Sequence, residues 1–191
     1  ESPGLAEGAW KDTIVLPYNH PAAFDKIRRH ASRLAGVIVE PVLGAGGTIP
    51  AGKEFLAELR RVTHEIGAFL IFDEIITGFR LAPGGAQETY GVIPDVSTYG
   101  KVAGGGLPFG AVGGTAEAMR LMEYDSEPGS ILMAGTFNGN PLVAAAGTAV
   151  LRRLGQDPQI YTRMNAMGDR FRDDINQFAQ DRDFPAIAVG L

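Results

Sequence analysis

Two carboxylates and one lysine carry the clearest suggestion of chemistry in this sequence. Asp73 and Glu74 directly follow the continuous apolar run Ala68-Phe69-Leu70-Ile71-Phe72. Aspartate is rarely buried deeply without a partner, so a carboxylate delivered by such a run calls for a cation, and a protonated heterocycle would serve. The plainer alternative is that the pair caps the next segment. Lys101 sits in STYGKVAGGGLPFGAVGG (97–114), with Gly100 before it and three glycines after Ala103. A lysine set among small residues can be approached closely by backbone and ligand, and burial or a positive neighbour that lowers its basicity makes it a nucleophile. A surface lysine in a glycine-rich loop is the competing reading. Gly135 and Thr136 precede FNGNP (137–141). The Thr136 hydroxyl and nearby amides at a helix start are suited to an anion such as phosphate, although ordinary turn and capping chemistry accounts for the same residues.

Other site types are excluded. A phosphate-cradling Walker loop needs glycine five residues before Gly100 and Ser or Thr after the lysine, but Asp95 and Val102 stand there. A dinucleotide fingerprint built on Gly104 and Gly106 needs a third small residue where Phe109 lies. His20, His30 and His64 lack both metal-ligand spacing and a nucleophile to activate, so no metal site is expected. The formal net charge is −5 without a basic run, which leaves a nucleic acid no electrostatic footprint. There is no cysteine, which removes disulfides and thiolate metal sites and is compatible with a reducing, cytoplasmic setting. No apolar run approaches the roughly 18 residues of a membrane span, so no membrane association is expected.

The elements that must position these residues alternate between strand and helix. Val37-Ile38-Val39 ends at Glu40-Pro41 and reads as a buried strand stopped by proline. From Lys53 to Ile66 the positions Phe55, Leu56, Leu59, Val62 and Ile66 keep helical spacing, and Gly67 falls where a left-handed cap belongs. The run 68–72 is apolar on both faces, which predicts a covered, parallel sheet. In such sheets ligands bind beyond the carboxyl ends of the strands, where Asp73 lies. Further strands are predicted at 96–99 and 110–113. Asn140-Pro141 predicts a helix start and the following helix ends at Gly155. Asp157-Pro158 opens an amphipathic helix with Ile160, Met164, Met167, Phe171, Ile175 and Phe178 on one stripe. Residues 1–13 read as a loop, and 186–191 as the beginning of a strand. The chain is α/β. Glycine, 26 of 191 residues, is about twice its usual share of roughly 7% and clusters at 44–47, 84–85, 104–106 and 110–114, marking tight turns and close backbone approach.

Taken together, VIVEPVLGAGGTIPAGKEFL (37–56), FLIFDEIITGFR (69–80), PDVSTYGKVAGGGLPFGAVGG (94–114) and AGTFNGNPLVAAAG (134–147) resemble the class III aminotransferases, pyridoxal-phosphate enzymes. The nearest likeness is to the glutamate-1-semialdehyde aminomutase subgroup and its β-amino-acid transaminase relatives. The likeness runs unbroken over about 14–155, and its four motifs are specific.

The resemblance implies the large domain of a fold type I pyridoxal-phosphate transferase, a mostly parallel sheet flanked by helices, over 1–155, with the beginning of the C-terminal small domain at 156–191. It further implies that Lys101 forms the Schiff base with pyridoxal phosphate, that Asp73 pairs with the pyridinium nitrogen, and that Ile75 packs on the ring. Thr136, next to Gly135, matches the residue that reaches the cofactor phosphate of a neighbouring subunit, so a homodimer is implied. The reaction would be transfer or a 1,2-shift of an amino group on a small amino acid or amino aldehyde. The family's phosphate loop and ring-stacking aromatic lie upstream of residue 1 and most of the small domain beyond Leu191, so the chain is expected to be a fragment, inactive alone. Many relatives carry Gln three residues after the residue matching Glu40, and aminomutases tend to carry Asn five after it; here Leu43 and Ala45 stand there. EPVLGAGGTIP and AGTFN look like the β-amino-acid branch, TGFR and GGAQETYGV like the aminomutase branch. A noncatalytic α/β ligand-binding domain on the same scaffold is the alternative of another class.

Overall fold

Four short strands, three of them rich in β-branched and aromatic residues, pair into one sheet in the computed structural model, which describes residues 4, 6–123 and 130–191. In chain order the elements are α1 (Glu7–Trp10), α2 (Ala22–Arg29), β1 (Gly36–Val39), β2 (Val42–Leu43), β3 (Ile49–Pro50), α3 (Lys53–Ile66), β4 (Phe69–Glu74), α4 (Gly85–Tyr90), β5 (Val96–Tyr99), β6 (Ala111–Gly114), α5 (Ala116–Met119), α6 (Pro141–Gln156) and α7 (Gln159–Asp181). The sheet order is β1-β4-β5-β6. β1, β4 and β5 run parallel, because α3 and α4 carry the chain back across the sheet between them. β6 is antiparallel to β5. The loop joining these two begins with Gly100 and Lys101. β2 and β3 form a separate small ribbon.

The predicted helix over Lys53–Ile66 is present, and Gly67 ends it at φ 70°, the left-handed conformation that glycine adopts without a Cβ penalty. Asn140 caps α6 by accepting from the amides of Leu142 at 3.0 Å and Val143 at 3.3 Å. The core lies on one side of the sheet, where Leu70 and Phe72 of β4 meet Ile27 of α2 and Leu56, Leu59 and Val62 of α3. On the other side Ile38 is 64% and Phe69 48% exposed. The sheet is mostly parallel and flanked by helices as expected, but the cover expected on both faces is incomplete among the described residues. Alternation along the strand sends Phe69, Ile71 and Asp73 to the side that neither α2 nor α3 reaches.

Three further expectations differ from the structure. Residues 7–10 form one helical turn where a loop was expected, and residues 1–3 and 5 of that loop lie outside the described residues. The strand expected at 186–191 does not form. Instead the Asn176 side chain bonds both backbone groups of Ala188, at 3.1 and 2.7 Å, in the manner of a ladder partner. The apolar stripe of α7 is only partly covered: Ile160, Met164 and Ile175 are half-buried, whereas Met167, Phe171 and Phe178 are exposed. That helix docks instead through Tyr161, whose hydroxyl donates to the Phe79 carbonyl at 3.2 Å, and Asn165, which donates to the Leu81 carbonyl at 3.1 Å. Among the described residues no helix is long and apolar enough to cross a membrane.

Candidate active site

The carboxyl end of β4 separates its two acids, because successive side chains of a strand point to opposite faces. Glu74 turns to the covered face and is fully buried. Its carboxylate accepts from the Thr77 hydroxyl at 2.9 Å and from the amides of Ala86 at 2.7 Å and Gln87 at 3.2 Å, the first turn of α4. A buried anion is tolerable when its lone pairs are filled by donors. Gly85, at φ 66°, leaves room for it, since a Cβ there would collide with the Glu74 carboxylate. Gln87 extends the arrangement by donating to Ser97 Oγ at 3.1 Å and Tyr99 Oη at 2.9 Å on β5.

Asp73 turns the other way and is half-buried. Its Oδ1 accepts from the Ile75 amide at 3.0 Å and from the Thr98 hydroxyl at 3.2 Å. A cavity of about 570 Å³ opens beside Asp73 and runs along β1, with walls that include Ile14, Leu16, Ile38, Val39 and Leu43. The site therefore presents a carboxylate next to apolar surface, the setting in which a charged partner is held most firmly.

Lys101 stands one strand over, directly after β5, and starts a short 3-10 turn, Lys101–Gly104. Its φ of 40° lies in the left-handed region, which L side chains occupy sparingly and which the surrounding packing must enforce. Close packing at three glycines, Gly100, Gly105 and Gly147, surrounds it. A Cβ at Gly100 would lie 3.0 Å from Ile75 Cδ1 and 3.3 Å from the Phe109 carbonyl oxygen. Ile75 is therefore packed on the backbone that leads into Lys101, and the 73–75 and 100–101 segments meet. Behind the turn a Cβ at Gly105 would lie 2.6 Å from the Ala146 carbonyl, and one at Gly147 would collide with the Ala103 carbonyl. The turn is thereby set directly on α6. The Lys101 side chain is exposed.

Gly135 and Thr136 occupy an exposed turn before α6, in which the Asn138 amide donates to the Gly135 carbonyl at 3.0 Å. Phe137 is 82% exposed. Asp73, Ile75 and Lys101 are thus brought to one end of the sheet, whereas Gly135 and Thr136 lie on a separate turn before α6, the helix on which the Lys101 turn is set. Thr98 was not singled out by the sequence, although it stands inside the quoted lysine motif. The signal that finds it is strand register, which sets Thr98 opposite Asp73.

The chain matches the family model described as Aminotransferase class-III over residues 11–188. It is 46% identical over 186 residues to glutamate-1-semialdehyde 2,1-aminomutase of Thermomicrobium roseum, covering 97% of this chain and 42% of that protein. It is also similar to the solved omega-transaminase of Sphaerobacter thermophilus, at a TM-score of 0.87 and 35% identity over 94% of this chain and 41% of that one. A beta-phenylalanine aminotransferase from Variovorax paradoxus superimposes with a TM-score of 0.80 and 40% identity, covering 88% of this chain and 38% of that one. The chain therefore spans less than half the length of these relatives.

Proposed function

The chain belongs to the class III aminotransferases, and on that premise we propose that it carries the lysine and the acid of a pyridoxal-phosphate site that moves an amino group on a small amino acid or amino aldehyde. The observation that carries the reading is the contrast at the end of β4. Glu74 is enclosed by the donors of its own fold, while Asp73 is half-buried and both of its hydrogen bonds fall on Oδ1, beside the segment that holds Lys101.

The residues fit the cofactor. A ring nitrogen needs an anion, an aldehyde needs an amine, and Asp73 and Lys101 supply these from adjacent strand ends. Pyridoxal phosphate, when bound, provides a ring that accepts the electron pair released at a substrate carbon. Asp73 holds the proton on the ring nitrogen, because its negative charge favours the protonated form. Lys101 would hold the cofactor through its amine and, in its free form, would be the base that takes the proton from the substrate carbon and delivers it to a different carbon from the one it left. Ile75 supplies apolar packing at the ring edge and fixes the approach of Gly100. Gly135 and Thr136 are assigned to the phosphate of a neighbouring copy, a homodimer supported by the exposure of the whole 131–139 stretch, Phe137 included. We assign 1–155 to the large domain and 156–191 to the beginning of the small one. The cysteine-free sequence is compatible with a cytoplasmic enzyme.

Within the family, Leu43 and Ala45 favour a β-amino-acid transaminase over the aminomutase as a second reading. A screen of the full-length protein with β-amino acids and with glutamate-1-semialdehyde separates the two. The site itself is tested by borohydride reduction of the full-length protein followed by peptide mapping. The pyridoxyl group is expected on Lys101, and finding it on Lys53 or Lys11 overturns the assignment.

A further inference from the structure

Parallel register sets Asp73 of β4 directly opposite Thr98 of β5, so the two side chains stand on the same face. The Thr98 hydroxyl donates to Asp73 Oδ1 at 3.2 Å, and the Ile75 amide donates to that same oxygen at 3.0 Å. A carboxylate only accepts, so the Thr98 hydroxyl is the donor. Among the described residues no recorded hydrogen bond reaches Oδ2. The terminal torsion of an aspartate is broad, and the Ile75 amide, two residues along the same chain, pins one oxygen without fixing the carboxylate against the neighbouring strand. Thr98 adds an anchor from that strand, and as a β-branched residue it has little freedom of its own.

We infer that Thr98 is a positioning residue that locks the Asp73 carboxylate so that Oδ2 is the oxygen presented to the protonated ring nitrogen of the cofactor; the inference rests on the reading of Asp73 given above. Thr98 touches neither substrate nor cofactor in this scheme. It acts by confining Asp73 to the orientation in which its charge lies closest to the ring proton, and the fully buried Glu74 on the opposite face cannot substitute for it.

The test uses the full-length holoenzyme and its Thr98→Val, Thr98→Ser and Asp73→Asn variants. Two readouts do not depend on turnover: the dissociation constant of pyridoxal phosphate, and the pH at which ring-labelled cofactor loses its nitrogen proton, followed by ¹⁵N resonance. Thr98→Val keeps the shape of the side chain and removes the donor. It is expected to weaken cofactor retention about tenfold and to lower the ring-nitrogen titration by about one pH unit, the scale of one hydrogen bond to a charged group. Thr98→Ser is expected to retain both properties, and Thr98→Ala serves in place of the valine variant should that one not fold. If Asp73→Asn deprotonates the ring while Thr98→Val behaves as wild type, this inference alone falls. A loss in Thr98→Ser equal to that in Thr98→Val assigns the effect to packing and also overturns it. If Asp73→Asn leaves the ring nitrogen unchanged, the reading of Asp73 falls and takes this inference with it.

Discussion

The two faces of the sheet treat adjacent, chemically similar carboxylates in opposite ways. On the covered face Glu74 is enclosed and accepts from Thr77, Ala86 and Gln87. On the other face Asp73 is half-exposed, and both of its recorded bonds reach a single oxygen. A charge whose capacity is filled by its own chain holds structure, here the start of α4 and, through Gln87, the end of β5. A charge with acceptor capacity left over is available to something else. The comparison teaches that the acidity of a motif says little about role until each lone pair has been assigned.

The comparison breaks most sharply at Asp73. Asp73→Asn in the full-length enzyme is expected to slow deprotonation of the substrate carbon by about two to four decades, the equivalent of losing a charged partner in a dry site. The unfolding midpoint should stay near that of wild type. Single-turnover kinetics and thermal unfolding, measured together, check both halves. Glu74→Ala should do the reverse. It leaves a buried hydroxyl and two amides without their acceptor and is expected to cost about 3 kcal/mol or more of stability, read by denaturant unfolding. If that variant kept its stability yet lost turnover, the roles of the two acids would be exchanged.

Gly105→Ala probes the support beneath Lys101. Gly105 sits at φ 61° with the Ala146 carbonyl 2.6 Å from where a Cβ would lie, so the substitution should destabilise by about 2 kcal/mol and shift the absorbance of bound cofactor. An unchanged spectrum with a lowered unfolding midpoint would confine the contact between the turn and α6 to stability. The smallest effect concerns pH. Burial raises Tyr18 above the ordinary tyrosine value, with Tyr90 and Glu40 adding to it, and burial raises Tyr90 as well. A group that holds its proton more tightly when folded contributes stability that is fully present below its unfolded value, about 10 for tyrosine. That contribution declines as pH rises from there through the folded value. Tyr90→Phe should therefore flatten the alkaline limb of a plot of unfolding midpoint against pH and leave the neutral region little changed.

Much of this was legible in the sequence because it is local. Apolar periodicity and Gly67 give α3, Asn140-Pro141 gives the start of α6, and a continuous apolar run gives β4, since each depends on residues within a few turns of one another. Lys101 and Asp73 were singled out by their types and settings, and the likeness to the family came from motifs that keep their order along the chain. Thr98 stood in plain view within the lysine motif and carried no signal there. Its meaning depends on a residue 25 positions away, and only the pairing of β4 with β5 makes the two neighbours. The same holds for the different fates of Asp73 and Glu74. Sequence placed both at the end of an apolar strand, but which one is enclosed depends on the side from which α3 and α4 pack, a choice made by tertiary structure. The half-covered stripe on α7 is the converse case. Its spacing announced a buried face, yet burial needs a partner as well as a pattern, and Tyr161 and Asn165 dock that helix by other contacts. What the sequence determined alone were the longer elements, such as α3, β4 and α6, and the residues capable of chemistry, because propensity and side-chain type are properties of short segments. What tertiary structure decided was which oxygen of which acid remains available, because that is set by strand register and by the face on which the core forms.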